Sequence, residues 1–293
     1  MINESRIPLI YSRVIVAAAS GSPGDSKQLL QGTRINTRSV DSLDAGITLP
    51  DYRRLLRNAI ELTGRSTILL DAGARMPLAA HGPLGNAATC SPDRMSVLDL
   101  LTRFIKLRGF FVDVWLERTG PTTRFNLRVS DELGDEKAAA LDFILGTVMR
   151  AMMFRGLIAM AEPQVQLARP RGPDHGYYER VLGASISYEQ PGNCVIFDTE
   201  DLNQPLPAHD PQQFDIAIQK CQALMIDELN QGSRRDAVER IFGQSPGMLW
   251  TIDQVAYALH TSARTLQRRL KKEGTGYQEV LDSWLKKLAA RYM

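Results

Sequence analysis

Apolar positions along this chain fall into short runs that alternate between helical and strand spacing. Val14-Ile15-Val16-Ala17-Ala18-Ala19 predicts a buried helix within the first 20 residues. Gly21-Ser22-Pro23-Gly24 breaks it, and Asp25 is placed to cap a second short helix running to Gln31. After Pro50, the residues Leu55, Leu56, Ala59 and Ile60 recur at helical spacing, with Arg and Glu between them, as far as Gly64. His81–Asp93 is rich in small residues and predicts a tight packing corner or a loop; a helix is expected over Val97–Arg108. Phe111–Glu117 and Thr122–Ser130 each alternate apolar with polar, and Gly120-Pro121 lies between them, which predicts a β-hairpin. Next come a long helix over Asp135–Met160, strands at Gln164–Ala168 and Asn193–Phe197, and between them a helix at Asp174–Leu182 and a short strand at Ser185–Tyr188. The last element of this part is a helix, Phe214–Leu229, with its apolar face on Phe214, Ile218, Cys221, Leu224 and Met225. Trp115 and the methionines 149, 152, 153 and 160 are assigned to the core.

The pattern then changes. Asn230-Gln231-Gly232-Ser233 marks a break, Arg234–Phe242 a short helix, and Gly243–Gly247 a second break. From Thr251 onward the signals are local and strong. Thr251 followed by Gln254 is a capping-box pair, and Ile252, Val255, Ala256 and Leu259 make one apolar face of a helix ending at His260. Ser262 can cap a second helix over 263–273, with Leu266 and Leu270 as its buried positions. Two short helices joined by so short a turn make a helix-turn-helix. The small Ala256 permits close approach of the two helices, and His260 stands at the turn, where a left-handed residue is common and histidine is tolerated. On the second helix Arg264, Gln267, Arg268 and Lys271 share the face opposite the two leucines. Arg can read guanine and Gln adenine in the major groove, whereas Arg269, Lys271 and Lys272 are suited to phosphate. With Ser262 and Thr265 at its N-terminal end, this set is the expected contact surface for double-stranded DNA.

Charge sharpens the picture. The whole chain is nearly neutral, at +2, and 44% apolar, ordinary for a globular protein and excluding a mainly disordered one. From Gln244 to the end there are eight Lys/Arg against four Asp/Glu; the rest carries 27 against 29. A basic tail on a mildly acidic body is the footprint of a module that meets phosphate. The three cysteines, Cys90, Cys194 and Cys221, are far apart, which argues against a disulfide framework or zinc site and fits a reducing compartment. No run of about 18 apolar residues exists to span a membrane. No cofactor or metal is expected, and the expected location is the cytoplasm.

Ser262–Gly274 resembles the first helix-turn-helix of AraC/XylS-family transcriptional regulators, and Tyr277–Met293 resembles the start of that family's linker helix. Leu285 stands where the family pattern has an Arg. Further upstream, Leu49-Pro50, Leu62-Thr63-Gly64, the His81–Pro92 corner, Tyr177–Tyr188, Leu202 and Pro205-Leu206-Pro207 resemble, in order and spacing, the arabinose-binding-like effector domain of the subgroup with ornithine/arginine and virulence regulators. The resemblance implies an α+β N-terminal effector domain, helices with a small antiparallel or mixed sheet, followed by an all-α helix-turn-helix segment. The expected division is 1–232 for effector sensing and candidate homodimerisation, 233–246 as a linker with a short helix, and 247–293 for the helix-turn-helix and the start of the linker helix. It also implies a sequence-specific regulator, an activator by family, controlled by a small-molecule effector. The family's second helix-turn-helix is absent from this sequence, so weaker DNA binding than with both units is expected; a ligand-sensing module without specific DNA binding is the alternative reading.

Enzyme chemistry finds no support in the motifs. Ser283-Trp-Leu-Lys286 fits the Ser-x-x-Lys spacing of serine acylases but lacks their companion motifs. The four histidines, at 81, 175, 209 and 260, are scattered without partners at ligand spacing; His175 is a candidate pocket residue but reads better as a surface-loop residue. Arg103, Arg124, Arg128 and Arg155 are conceivable carboxylate partners for an effector, although each reads first as a surface residue.

Overall fold

The computed structural model describes residues 7–22, 24–35, 46–109, 111–153, 160–231, 234–244, 250–259 and 261–292. They group into two compact units, the larger over Ser5–Cys221 and the smaller including Gln222–Met293.

The larger unit opens with β1 (Ile7–Pro8), α1 (Leu9–Ala19), α2 (Asp25–Leu29) and β2 (Gly46–Ile47), with β1 and β2 paired antiparallel. Asp25 does not cap α2 from outside. It is the first helical residue, and its carboxylate accepts bonds from the Gly21 and Ser22 amides at 2.7 and 2.8 Å, tying down the preceding turn. α3 (Leu49–Thr63) follows the predicted pattern, with Thr48 as N-cap, Pro50 in the first turn and Gly64 closing it at φ 61. α4 (Ile68–Ala74) has no counterpart among the predicted elements; Ile68–Gly73 are all buried, so it shows no amphipathic period. The small-residue corner becomes a 3-10 turn at Leu78–His81 followed by α5 (Pro83–Cys90). A Cβ on Gly85 would run into the Leu78 carbonyl, which is why the corner is built from small residues.

α6 (Arg94–Phe104), capped by Asp93, ends earlier than expected and passes into a 3-10 turn at Ile105–Leu107. The hairpin forms as predicted from β3 (Val112–Thr119) and β4 (Thr122–Val129), with Gly120 at φ 59 in the turn. α7 (Lys137–Met153) is shorter at its start than predicted. Asp131–Glu136 is instead 3-10, capped by Ser130 and broken by Gly134 at φ 53. The predicted continuation over 154–159 lies outside the described residues, as do 1–6. β5 (Gln164–Gln166), α8 (His175–Leu182), β6 (Ser185–Ser187), β7 (Asn193–Asp198), α9 (Thr199–Leu202) and α10 (Pro211–Gln231), whose residues from Gln222 on belong to the smaller unit, complete the order. The strands form a five-stranded mixed sheet, β3-β4-β7-β5-β6, antiparallel except for β5 against β6.

The core joins α4 and α7 to the inner face of this sheet through Phe125, Leu127, Val165, Val195 and Phe197. Two glycines bring the helices together: a Cβ on Gly73 would meet the Phe143 carbonyl, and one on Gly146 would lie 2.5 Å from the Leu70 carbonyl oxygen. Buried charge is paired. Asp142 on α7 takes an ion pair from Arg169 at 2.8 Å and a bond from the Tyr178 hydroxyl at 2.6 Å. Burial pushes the Asp142 carboxyl up despite the opposing pull of Arg169.

Three core assignments need correction. Trp115 is 40% exposed, on the outer face of edge strand β3, where it lies under the Arg128 guanidinium and donates to Glu117 at 2.9 Å. Strand alternation places it with Asp113 and Glu117, and only Val112, Val114 and Leu116 turn inward. Met153 and Leu224 are exposed, at 38% and 42%, whereas Met149 and Met152 are buried as expected. On α10 the buried positions are Ala217 and Cys221, with Phe214 and Ile218 half-buried.

The smaller unit contains α11 (Arg234–Gln244), α12 (Ile252–Ala258), α13 (Ala263–Lys272) and α14 (Tyr277–Tyr292). Their shared core is Ala237, Val238, Ile241, Phe242, Val255, Ala256, Leu259, Leu266, Leu270 and Val280. Phe242 stacks edge-on against Tyr277 and tilted against Trp284, and the Tyr277 hydroxyl donates to the Trp250 carbonyl at 2.7 Å. Of the two predicted breaks, 230–233 and 243–247, Asn230 and Gln231 still belong to α10 and Gly243 and Gln244 to α11, while 232–233 and 245–247 lie outside the described residues.

Candidate nucleic-acid interface and effector cavity

The helix-turn-helix is assembled by its own caps. Thr251 accepts from the Gln254 amide at 3.3 Å while the Gln254 side chain takes the Thr251 amide at 2.8 Å, the full reciprocal box. α12 ends at Ala258, two residues before the expected point; His260 lies outside the described residues. Ser262 caps α13 through the Thr265 amide at 3.2 Å. Leu266 and Leu270 are fully buried and Ala256 nearly so, which holds the two helices in close contact.

The opposite face of α13 carries Arg264, Gln267, Arg268 and Lys271, all exposed, with Lys272 exposed beside them. The residues of the predicted contact set do not all stand alike. Ser262 and Thr265 are engaged in the cap, their hydroxyls 3.0 Å apart. Arg269 is half-buried beside Arg234, whose guanidinium pKa is lowered first by burial and then by the Arg269 charge. Glu273, just past the helix, accepts from the Arg234 and Arg235 amides at 2.7 and 3.1 Å and so caps α11. Three basic residues in the last turn, Arg269, Lys271 and Lys272, complement the negative end of the helix dipole. Sequence reasoning missed Tyr257, which stands 85% exposed on α12. Ser283 accepts a bond from Arg235 at 3.1 Å, so the Ser-x-x-Lys spacing serves packing between α11 and α14.

The larger unit holds a cavity of ≈ 70 Å³ between α1, α3, α5, α6 and α7. Its walls are apolar, including Leu84, Ala88, Val97, Leu101 and Val148. Its few polar groups come from widely separated positions. The Tyr11 hydroxyl lies 2.8 Å from Nδ1 of His81 and accepts from Nε of Arg108 at 3.1 Å; a second Arg108 nitrogen donates to the Ala80 carbonyl at 3.0 Å. Burial, helped by the Arg108 charge, pushes His81 down to about 3 and keeps it neutral. Burial pushes the Tyr11 and Tyr52 hydroxyls up. The Tyr52 hydroxyl is fully buried with no hydrogen-bond partner among the described residues.

Of the arginines considered as effector partners, the three that are described, Arg103, Arg124 and Arg128, are not in the lining of this cavity. Arg103 stacks on Phe104, Arg124 donates to Gln166 at 2.6 Å and Arg128 pairs with Asp113 at 3.2 Å; Arg155 lies outside the described residues. His175 begins α8 and is likewise not in the lining. Among the described residues no group of His, Cys, Asp and Glu could hold a metal ion, and no helix is long and apolar enough to cross a membrane.

An α+β domain with an internal cavity, in one chain with a capped helix-turn-helix, is the arrangement of a transcription regulator. The chain belongs to the family described as the arabinose-binding domain of AraC transcription regulators, N-terminal, which matches residues 24–206. It is 25% identical over 287 residues to the ornithine utilization regulator of Pseudomonas aeruginosa, covering 98% of this chain and 85% of that protein. An uncharacterized HTH-type transcriptional regulator of Mycobacterium tuberculosis is 25% identical over 284 residues, covering 95% of this chain and 82% of its own. The HTH-type regulator VqsM of Pseudomonas aeruginosa is 23% identical over 232 residues, 75% of this chain and 70% of that one. Among solved structures, the transcriptional regulator CdpR from Pseudomonas aeruginosa shares the fold at a TM-score of 0.51 and 19% identity, covering 97% of this chain and 84% of that chain.

Proposed function

We propose that this protein is a sequence-specific DNA-binding transcription regulator, an activator, whose DNA binding is governed by a small molecule held in the larger unit. The division is 1–232 for sensing and homodimerisation and 247–293 for DNA, with 233–246 between. One observation carries the reading: Arg264, Gln267, Arg268 and Lys271 are exposed together on the face of α13 opposite buried Leu266 and Leu270. A helix so presented enters the major groove, with Arg and Gln against base edges and Lys272 against phosphate. Effector control requires that the ligand favour one arrangement of the protein over another. The test is selection from random DNA duplexes, followed by a salt titration on the winning sequence. A recovered motif with a steep loss of affinity as salt rises supports groove reading by a basic helix; no enrichment over bulk DNA sinks it.

A further inference from the structure

The sheet of the larger unit ends on one side in β6, three residues long, and on the other in β3, eight residues long. A long open edge is a template for another strand. Which backbone groups of β3 face outward follows from its ladder with β4. The Ser130 amide donates to the Phe111 carbonyl directly opposite at 2.7 Å, so the hydrogen-bonded pairs with β4 fall at residues 111, 113, 115, 117 and 119 of this strand. Val112, Val114, Leu116 and Arg118 therefore turn their N–H and C=O groups to the open edge. Lys106 blocks its start, donating to the Val112 carbonyl at 2.7 Å; among the described residues no donor or acceptor meets the outward backbone groups of the other three. Val114 and Leu116 pack against the core yet stay half-buried, and Trp115 stands 40% exposed on the outer face.

We propose that this edge pairs antiparallel with β3 of a second copy of the chain, about a two-fold axis at Leu116, joining the two five-stranded sheets into one. This rests on the homodimerisation part of the regulator reading and gives it a surface. The residues themselves select the register. Opposed residues must share a face of the sheet, which excludes slips by one. With Leu116 opposite the partner's Leu116, Val114 lies opposite the partner's Arg118, and each outward pair exchanges both backbone bonds. On the inner face the two leucines cover each other. On the outer face Trp115 lies opposite the partner's Glu117, the pair of side chains that already bond within one strand at 2.9 Å. Asp113 lies opposite the partner's Thr119, whose hydroxyl is a donor for its carboxylate. Registers shifted toward the start of β3 need the Val112 carbonyl that Lys106 holds, and the first of them sets Asp113 against the partner's Glu117. The register two residues the other way sets Glu117 against the partner's Glu117 and loses a bonded pair. Like charges directly opposite are destabilising.

The experiment uses the full chain without DNA. Light scattering over a range of protein concentrations gives the dimer dissociation constant. Trp115→Glu, on the exposed face, sets like charges opposite each other and is expected to raise that constant about tenfold or more; Trp115→Lys, which meets the partner's Glu117 with the opposite charge, is expected to raise it less. Oxidative cross-linking reads the register. Asp113→Cys chains mixed with Thr119→Cys chains should form a disulfide-linked dimer, because these positions oppose each other, whereas neither variant alone and not the unaltered protein should do so. Circular dichroism checks each fold; should a cysteine variant not fold, the two Trp115 variants still decide. The proposal is overturned if the chain is a monomer throughout, which removes the homodimer from the regulator reading as well. It is also overturned, with that reading left standing, if a dimer forms whose affinity is unchanged in folded Trp115→Glu, or if the mixed cysteine chains do not cross-link. DNA selection is decided separately, since no DNA is present.

Discussion

The hydroxyl of Tyr11 and Nδ1 of His81 lie 2.8 Å apart, joining the first helix to the small-residue corner seventy residues later. Their rings meet edge-on at 5.5 Å, and Arg108 closes the group from a third direction. The arrangement works only with a neutral imidazole, because Arg108 repels a charged one and burial denies it water.

That makes stability depend on acidity. His81 is held at about 3 in the folded protein, against about 6.5 when unfolded. The unfolded chain therefore binds the extra proton first, so this residue costs stability as pH falls below 6.5 and has no effect above it. At pH 5 the expected loss is about 2 kcal/mol relative to neutral pH. Urea unfolding of the unaltered protein and of His81→Gln at pH 7.5 and pH 5 measures it as a difference. Equal acid sensitivity of the two would refute the assignment.

The α4–α7 contact depends on having no side chain at its crossing. Gly73→Ala and Gly146→Ala each drive a methyl group into a backbone carbonyl of the other helix. Each is expected to destabilise by about 1–3 kcal/mol or more, since two buried backbones must separate. An unchanged urea midpoint in either variant would contradict this packing.

In the smaller unit, stability and recognition lie on opposite faces of α13. Leu266→Ala should cost about 2–5 kcal/mol of local stability, and Thr251→Ala about 1 kcal/mol through the lost cap. Amide hydrogen exchange across 250–292 reads this region separately from the rest of the chain. Protection there should fall in both variants, by more for the leucine.

On the exposed face, Arg268→Ala is expected to weaken binding to the selected DNA site by about 1–3 kcal/mol and to relax base preference at one position. Lys272→Ala should weaken all sequences alike and lower the salt slope by about one. A uniform effect from Arg268→Ala, or none, would remove it from the base-reading role.

The legibility of these features in the sequence follows the distance over which each is encoded. Thr251 with Gln254, Ser262 with Thr265, and Leu266 with Leu270 are pairs within one turn of helix, where spacing alone sets geometry, so the helix-turn-helix is readable from the residues themselves. Gly120 between two alternating runs does the same for the β3–β4 hairpin. α4 is invisible to periodicity because Ile68–Gly73 are buried all round, and a helix with no wet side has no period to find. Trp115 misleads because apolar character suggests an interior, whereas strand parity decides the face.

The sequence by itself therefore determined the local chemistry of this protein: the caps, the hairpin, the basic face of α13 and the resemblance to a family of regulators. Only the tertiary structure decided which groups surround the cavity of the larger unit. Tyr11, Tyr52, His81 and Arg108 come from separate elements with no common spacing, and Arg108, the arginine in the cavity lining, belongs to no motif. What unites them is one shared apolar cavity, which buries Tyr11 and Tyr52 and half-buries His81 and Arg108. Burial of that kind belongs to the packed chain and is carried by no single stretch of it.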